Sequence, residues 1–341
     1  MLDNKLIELP ENIKSNSILV LDNDFISFKI ASVLESKSVK VYDDDKYIGK
    51  FKHRTEYKNS DKFNPSFEIK DEQILKNDYK SSMAYLFNHF IQQYKKETNT
   101  KEVILVGGGD SNFRDRIPLP AKYKGNRDGA LRPLSLKECK EFGKNNYIYD
   151  YRDDLEADDV CSMYQFRSWL DKDNYIVVCS PDKDQLQVNG NLYIPEKRIY
   201  NIDGLGSVGL KQMSKRQKLI FEGRKALYAQ AGLIGDPTDN YMPCDWYKIS
   251  KGVSKKSAMI TDLKAHQMLK DCQTDKECLD VVYQQYLDWY PNLNEWVDWQ
   301  GNTVKGDVID LMQKYFEAAF MLRWPEDSID IRTILKSMDI I

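Results

Sequence analysis

Histidine is scarce in this chain and cysteine never forms a CxxC pair: 341 residues contain three histidines and six dispersed cysteines (Cys139, Cys161, Cys179, Cys244, Cys272, Cys278). Zinc knuckles and disulfide frameworks need closer, repeated spacing, so both are excluded and reduced, mostly buried thiols are expected. No apolar run approaches the roughly 18 residues of a membrane span, and the N-terminus MLDNKLIELPENIKSNS is acidic and polar where a signal peptide would be basic and then apolar. A cytoplasmic protein without membrane contact is the expectation. Internal repeats and low-complexity tracts are also missing, which implies a chain that folds throughout. With 41% apolar residues it can bury a sizeable core, and its length suggests two domains.

There is no overall basic excess either, since the formal net charge is −3. By itself that argues against a polyanionic partner, but the charge is segregated. Seven basic residues face two acids between Arg114 and Lys137, whereas ten acids face four basic residues between Tyr149 and Asp184. Such a division suits a cation site beside a polyanion groove.

The run Ile18 to Leu21 ends in Asp22 and leads into FISFKIASVL, whose apolar spacing is helical: a buried strand entering a helix. VKVYDDDKYIGKFK alternates about a polar tip and reads as a hairpin. Between Asp78 and Thr98 the residues Met83, Leu86, Phe87, Phe90, Ile91 and Tyr94 form one face of an amphipathic helix. Strands at Val103–Val106 and Tyr175–Cys179, with a helix from about Leu155 to Leu170 between them, indicate a parallel α/β sheet. After about Asn201 strand signals fade into helical stretches and a tail with Trp289, Trp296 and Trp299. Those tryptophans suit core packing or stacking on bases.

In a parallel sheet, ligands bind beyond the carboxyl ends of the strands. Asp22, Asp110, Asp182 and Asp184 follow strands, and Glu156, Asp158 and Asp159 open the intervening helix. An acidic first turn is ordinary on its own, because the helix dipole favours it. So many carboxylates at one edge would repel and protonate unless cations neutralise them. Oxygen-only ligands select hard ions such as Mg²⁺ or Mn²⁺, and two of these suit hydrolysis at phosphorus. Asp236 and Asp239 in GLIGDPTDNY sit in turn chemistry after an apolar helix.

Read in order, Asp22 in VLDND, Asp110 in GGGDSNFR, AKYKGNRD, LEADDV, SPDKDQL and GLIGDPTDNY resemble the motif series of the 5′ nuclease superfamily. That family comprises flap endonucleases, the 5′ nuclease domains of bacterial DNA polymerases and phage 5′-to-3′ exonucleases. The resemblance spans roughly Ile18 to Ala258, and length and loop economy look most like the phage exonucleases. It implies a PIN-like, mostly parallel central sheet flanked by helices over residues 1–205, with an arch segment near 111–140. Residues 206–341 would form a helical DNA-binding region with a divergent helix-three-turn-helix module. The implied activity is two-metal 5′-to-3′ exonuclease hydrolysis near 5′ ends of duplex DNA, with flaps and RNA primers in RNA–DNA hybrids as further substrates. A flap endonuclease and a non-catalytic DNA-binding paralogue are the alternatives.

Carried over residue by residue, the resemblance implies that Asp110, Glu156 and Asp158 (with Asp159) hold the first Mg²⁺, and that Asp182, Asp184, Asp236 and Asp239 hold the second, with Mn²⁺ able to substitute. Asp22 would act through the first site by a water, with Asp24 as its rival. In YKGNRD, Lys124 and Arg127 would grip the scissile phosphate, a point charge beside a bidentate fork, with Lys122 adding DNA contact. KGVSKKSA looks like a remnant of the family's duplex-binding hairpin, implying DNA contacts from Lys248, Lys251, Lys255 and Lys256. The glycine-rich turn of relatives is replaced there by MPCDWYKIS with Gly252 alone, which leaves a K⁺ site open. The basic run Lys211 to Lys225 reads equally as a groove flank or a solvated helical face.

Overall fold

Four consecutive residues, Ile18 to Leu21, are wholly shielded from solvent in the computed structural model, which describes residues 5–127, 129, 131–195, 198–213, 216–254 and 259–341. The chain runs β1 (Ser17–Asp22), α1 (Asn23–Val33), β2 (Glu35–Asp43), β3 (Lys46–Phe51), α2 (Arg54–Lys58), β4 (Glu68–Leu75), α3 (Tyr79–Thr98), β5 (Glu102–Gly108), α4 (Leu136–Asn146), β6 (Ile148–Arg152), α5 (Ala157–Leu170), β7 (Tyr175–Cys179), β8 (Gly190–Ile194) and β9 (Arg198–Ile202). It continues through β10 (Val208–Met213), β11 (Arg216–Phe221), α6 (Arg224–Ala229), a π-helical turn (Gln230–Ile234), α7 (Asp245–Lys251), α8 (Asp262–Leu269), α9 (Asp275–Trp289), β12 (Glu295–Val297), β13 (Thr303–Lys305), α10 (Val308–Ala319) and α11 (Ile331–Ser337).

The main sheet has the order β6-β5-β1-β7-β8-β9, parallel except for the last strand. A parallel strand covered on both faces needs apolar residues at every position, which is the Ile-Leu-Val-Leu pattern of β1. Alternate residues then serve different layers: Leu19 and Leu21 pack with Ile26, Ile30, Phe87 and Ile91 of α1 and α3, while Ile18 and Val20 pack with α5 on the other side. Helix α5 is buried nearly all round, because the C-terminal region covers the face turned away from the sheet.

VKVYDDDKYIGKFK forms the expected hairpin, β2 with β3, and β4 adds a third antiparallel strand. This side sheet contacts the residues before α4: Glu35 Oε2 accepts from the Leu134 amide at 2.9 Å, and Gln73 Nε2 donates to the Arg132 carbonyl at 3.0 Å. The region beyond residue 206 is largely helical but opens with the β10–β11 hairpin, so the basic run beginning at Lys211 is strand before it is helix. One apolar cluster joins Ile18 and Val20 to Leu311, Tyr315 and Phe316 of α10, so the expected division near residue 205 is not marked by separate cores. Among the described residues no helix is long and apolar enough to cross a membrane.

Candidate metal centre and phosphate-binding base

The order β5-β1-β7 puts the carboxyl ends of three neighbouring parallel strands side by side, the kind of edge where an α/β sheet takes its ligands. Asp22 ends β1 and caps α1, its Oδ1 accepting from the amides of Asp24 at 2.7 Å and Phe25 at 3.2 Å. Burial, then the nearby Asp24 and Asp182, raise its pKa to about 7. Asp24 itself is half exposed and paired with Lys140 at 2.7 Å, so of the two acids Asp22 is the one turned into the cluster. Asp158, in the first turn of α5, has an Oδ1 closed off from solvent with no hydrogen-bond partner, and burial followed by Asp182 and Asp22 pushes its carboxyl well above the usual range. An orphaned buried acceptor is costly, and a hard cation would satisfy it.

Asp182 follows β7, and its Oδ1 accepts from the Asp184 amide at 2.9 Å. Asp184, Asp236 and Asp239 each offer a carboxylate oxygen, all within 4.8 Å of one another. Burial, then Asp182 and Asp236, push Asp184 well up, and burial raises Asp239 less strongly because Lys124 and Arg127 stand beside it. Asp22, Asp158, Asp182, Asp184, Asp236 and Asp239 line one cleft of about 750 Å³. Its donors are carboxylate oxygens without histidine or thiolate, a set that fits Mg²⁺ or Mn²⁺.

The YKGNRD turn docks directly onto the GDPTDN turn. The Lys124 amide donates to the Asp239 carbonyl at 2.8 Å, Asn126 Nδ2 to the Pro237 carbonyl at 2.7 Å, and Asn240 Nδ2 to the Lys122 carbonyl at 2.9 Å. Lys124 and Asn240 both adopt positive φ, at 52° and 62°, so each turn is held in a shape that side chains other than glycine rarely take. This docking delivers Lys124 to Glu156 in a close ion pair and Arg127 Nη2 to Asp239 Oδ1 at 2.6 Å. Burial opposes charge at Glu156, yet Lys124 and Arg114 prevail and hold its pKa below the usual value. The Tyr123 hydroxyl lies 2.9 Å from both Glu156 Oε2 and Asp239 Oδ2, tying the acids of α5 to those of the GDPTDN turn. Lys122 stands over the Trp299 ring at 5.7 Å, next to this base.

Several expected residues stand elsewhere. Asp159 is fully buried and both its oxygens meet Arg114, at 2.6 and 2.8 Å, while it also caps the Glu156 amide; these contacts replace the ligand role expected of it beside Asp158. Arg114, counted with the basic groove, is 1% exposed and serves that buried pair instead. The acidic triplet pattern cannot tell a ligand from an ion-pair partner, because the helix phase puts Asp158 and Asp159 on different sides. Asp110 is exposed beyond β5, near Tyr151, and does not line the cleft. Lys248 pairs closely with Asp245 rather than facing outward; Lys251 is exposed at the end of α7, and Lys255 and Lys256 lie outside the described residues. Trp289 and Trp296 are core, while Trp299 is partly exposed on the β12–β13 turn. Tyr123 and Gln185, both inside quoted motifs, also belong to this arrangement: Gln185 is buried and its Nε2 donates to the Asp158 carbonyl at 2.8 Å. Their signal was a neutral polar side chain among charged ones.

No protein-family model and no curated protein matches the sequence. Solved structures do. The chain is similar to bacteriophage T5 nucleases. A T5 protein co-crystallised with metal ions shares 14% identity over 95% of this chain and 97% of that one, at a TM-score of 0.44. The T5 5′-exonuclease with bound zinc shares 16% over 89% of this chain and 97% of that one, at 0.38. A T5 flap endonuclease in a pseudo-enzyme–product complex with DNA and metal ions shares 14% over 95% and 98%, at 0.39.

Proposed function

We propose that the protein is a metal-dependent 5′ nuclease: a two-ion 5′-to-3′ exonuclease acting near free 5′ ends of duplex DNA, with flaps and RNA–DNA hybrids as further substrates and Mg²⁺ as the natural ion. The observation that carries this reading is the meeting of Asp22, Asp158, Asp182, Asp184, Asp236 and Asp239 in one cleft, beside Lys124 and Arg127 on a docked turn. A pure DNA binder gains nothing from carboxylates that repel phosphate.

Asp22, Glu156 and Asp158 would hold the first ion and Asp184, Asp236 and Asp239 the second, with Asp182 between them. Held there, two ions would supply activation of a water and stabilisation of the charge that builds at the phosphorus centre. Lys124 and Arg127 bind the scissile phosphate, the guanidinium as a fork and the ammonium as a point charge, and offset charge that grows on its oxygens. Tyr123 keeps Glu156 and Asp239 at a fixed separation, so that the two halves of the acid set stay in register. Asp182→Ala should lose Mg²⁺-dependent hydrolysis of a 5′-labelled duplex while keeping most DNA binding; cleavage at the wild-type rate would refute the site. A product-length ladder from flap, blunt and gapped substrates, with and without EDTA, separates exonuclease from flap endonuclease and from a non-catalytic binder.

A further inference from the structure

Helix α6 does not run straight into the GDPTDN turn. It widens into the π-helical turn Gln230–Ile234, which ends at Gly235 with φ 77°. Widened turns of this kind change the angular phase of a helix and recur at functional sites. Here the change falls at Gln230, whose side chain is directed at the acid cluster. Its Nε2 lies 3.0 Å from Asp184 Oδ1, 3.3 Å from Asp236 Oδ2 and 3.0 Å from the Tyr241 hydroxyl oxygen. The amide orientation follows from these neighbours, since its oxygen would otherwise face two carboxylates.

We propose that Gln230 is the positioning residue of the second ion's site, an inference that rests on the two-ion reading above. Asp184 and Asp236 come from segments about fifty residues apart and repel when ionised. An amide donor between them draws one oxygen from each, offsets part of that repulsion and adds no charge to compete with a cation. Because it donates, Gln230 is not itself a ligand. Ligating carboxylates are commonly held by such outer hydrogen bonds. Lys183, which also reaches Asp236 Oδ2 at 3.1 Å, has a side chain 57% exposed and can swing away, whereas Gln230 is walled in at 8% exposure. Gln230 is therefore the fixed donor and Lys183 the exchangeable one.

The test is Gln230→Leu in the full chain, which keeps most of the volume and removes the donor. Mn²⁺ alone is titrated calorimetrically, kcat and KM are measured on a 5′-labelled duplex, and the melting midpoint is taken in EDTA. The expected result is that one of two Mn²⁺ sites weakens about 10- to 100-fold while the other is unchanged. kcat should fall with KM for DNA preserved and the metal-free melting midpoint retained. Wild-type affinity at both sites would overturn the inference alone, as would equal weakening at both sites with a lowered melting midpoint. A wild-type protein that binds no Mn²⁺ would overturn the two-ion reading, and this inference with it.

Discussion

Asp158 carries a strong electrostatic conflict: its Oδ1 is buried without a partner, and Asp182 and Asp22 crowd it. On the proposed reading, Asp158→Asn should therefore cut hydrolysis by about 10³-fold or more, as expected when a transition-state group is lost. The same change should raise the melting midpoint in EDTA by a few degrees, about what 1 kcal/mol is worth in a chain this size. Arg114 predicts the opposite sign. Arg114→Ala strands the Asp159 carboxylate in the interior and should cost about 3–5 kcal/mol in a denaturant titration, far more than the loss of a surface DNA contact. The pH dependence follows from the raised acids. Asp22 stands at about 7 against an ordinary 3.8, and Asp158 and Asp184 shift the same way. Between about pH 4 and 7 the native protein thus keeps protons that the unfolded chain has released, so metal-free stability falls as pH rises through that window, by on the order of a few kcal/mol. Melting curves in EDTA should show this decline, and Mg²⁺ should reverse it, since ion binding favours the ionised carboxylates.

At the scale of elements, the site depends on two turns holding each other. The YKGNRD turn has little apolar content, and it is kept in place by backbone and asparagine hydrogen bonds to the GDPTDN turn. On the proposed reading, Lys124→Ala and Arg127→Ala would remove phosphate contacts without removing acids, so each should slow cleavage about 10²- to 10³-fold and leave Mn²⁺ stoichiometry intact. A titration showing loss of ions in either variant would refute that division of labour. Gly235→Ala acts on the partner turn. Its φ is 77°, and a Cβ there would lie 2.5 Å from the Tyr241 carbonyl oxygen and 2.6 Å from Met242 Cα, both backbone atoms. The turn must move, taking Asp236 with it. A cost of about 1–3 kcal/mol from the strained backbone is expected, together with weaker Mn²⁺ binding at the proposed second site, read by melting and calorimetry in parallel.

At the scale of the whole molecule, the C-terminal region shares one apolar cluster with the parallel sheet. Arg114 Nε donates to the Ala318 carbonyl at 3.0 Å and Nη2 to the Phe320 carbonyl at 2.7 Å, while Gln187 Nε2 donates to the Ala319 carbonyl at 3.0 Å. The end of α10 therefore buttresses both the start of α5 and the turn that carries Asp184. Leu311, Met312, Tyr315 and Phe316 are fully buried in the same cluster as β1, and burying each such side chain is worth roughly 1.5–3 kcal/mol. A chain cut before Val308 should consequently show no cooperative unfolding transition; a sharp melt of that fragment would show instead that the α/β part folds alone.

The α/β alternation, the buried β1, the amphipathic face of α3 and the acids at strand ends were legible in order along the sequence, because periodicity and local turn chemistry are short-range properties. The motif series likewise singles out Asp22, Asp158, Asp184, Asp236 and Asp239 in the sequence. What only the tertiary structure decided was partnership: that Asp159 turns to Arg114, that Asp24 turns to Lys140, that Asp110 stays exposed, and that Tyr123 and Gln230 bridge acids from distant segments. The reason is physical. A carboxylate's role depends on which charges and donors reach it through space, and neighbours brought together by packing leave no mark in the local pattern.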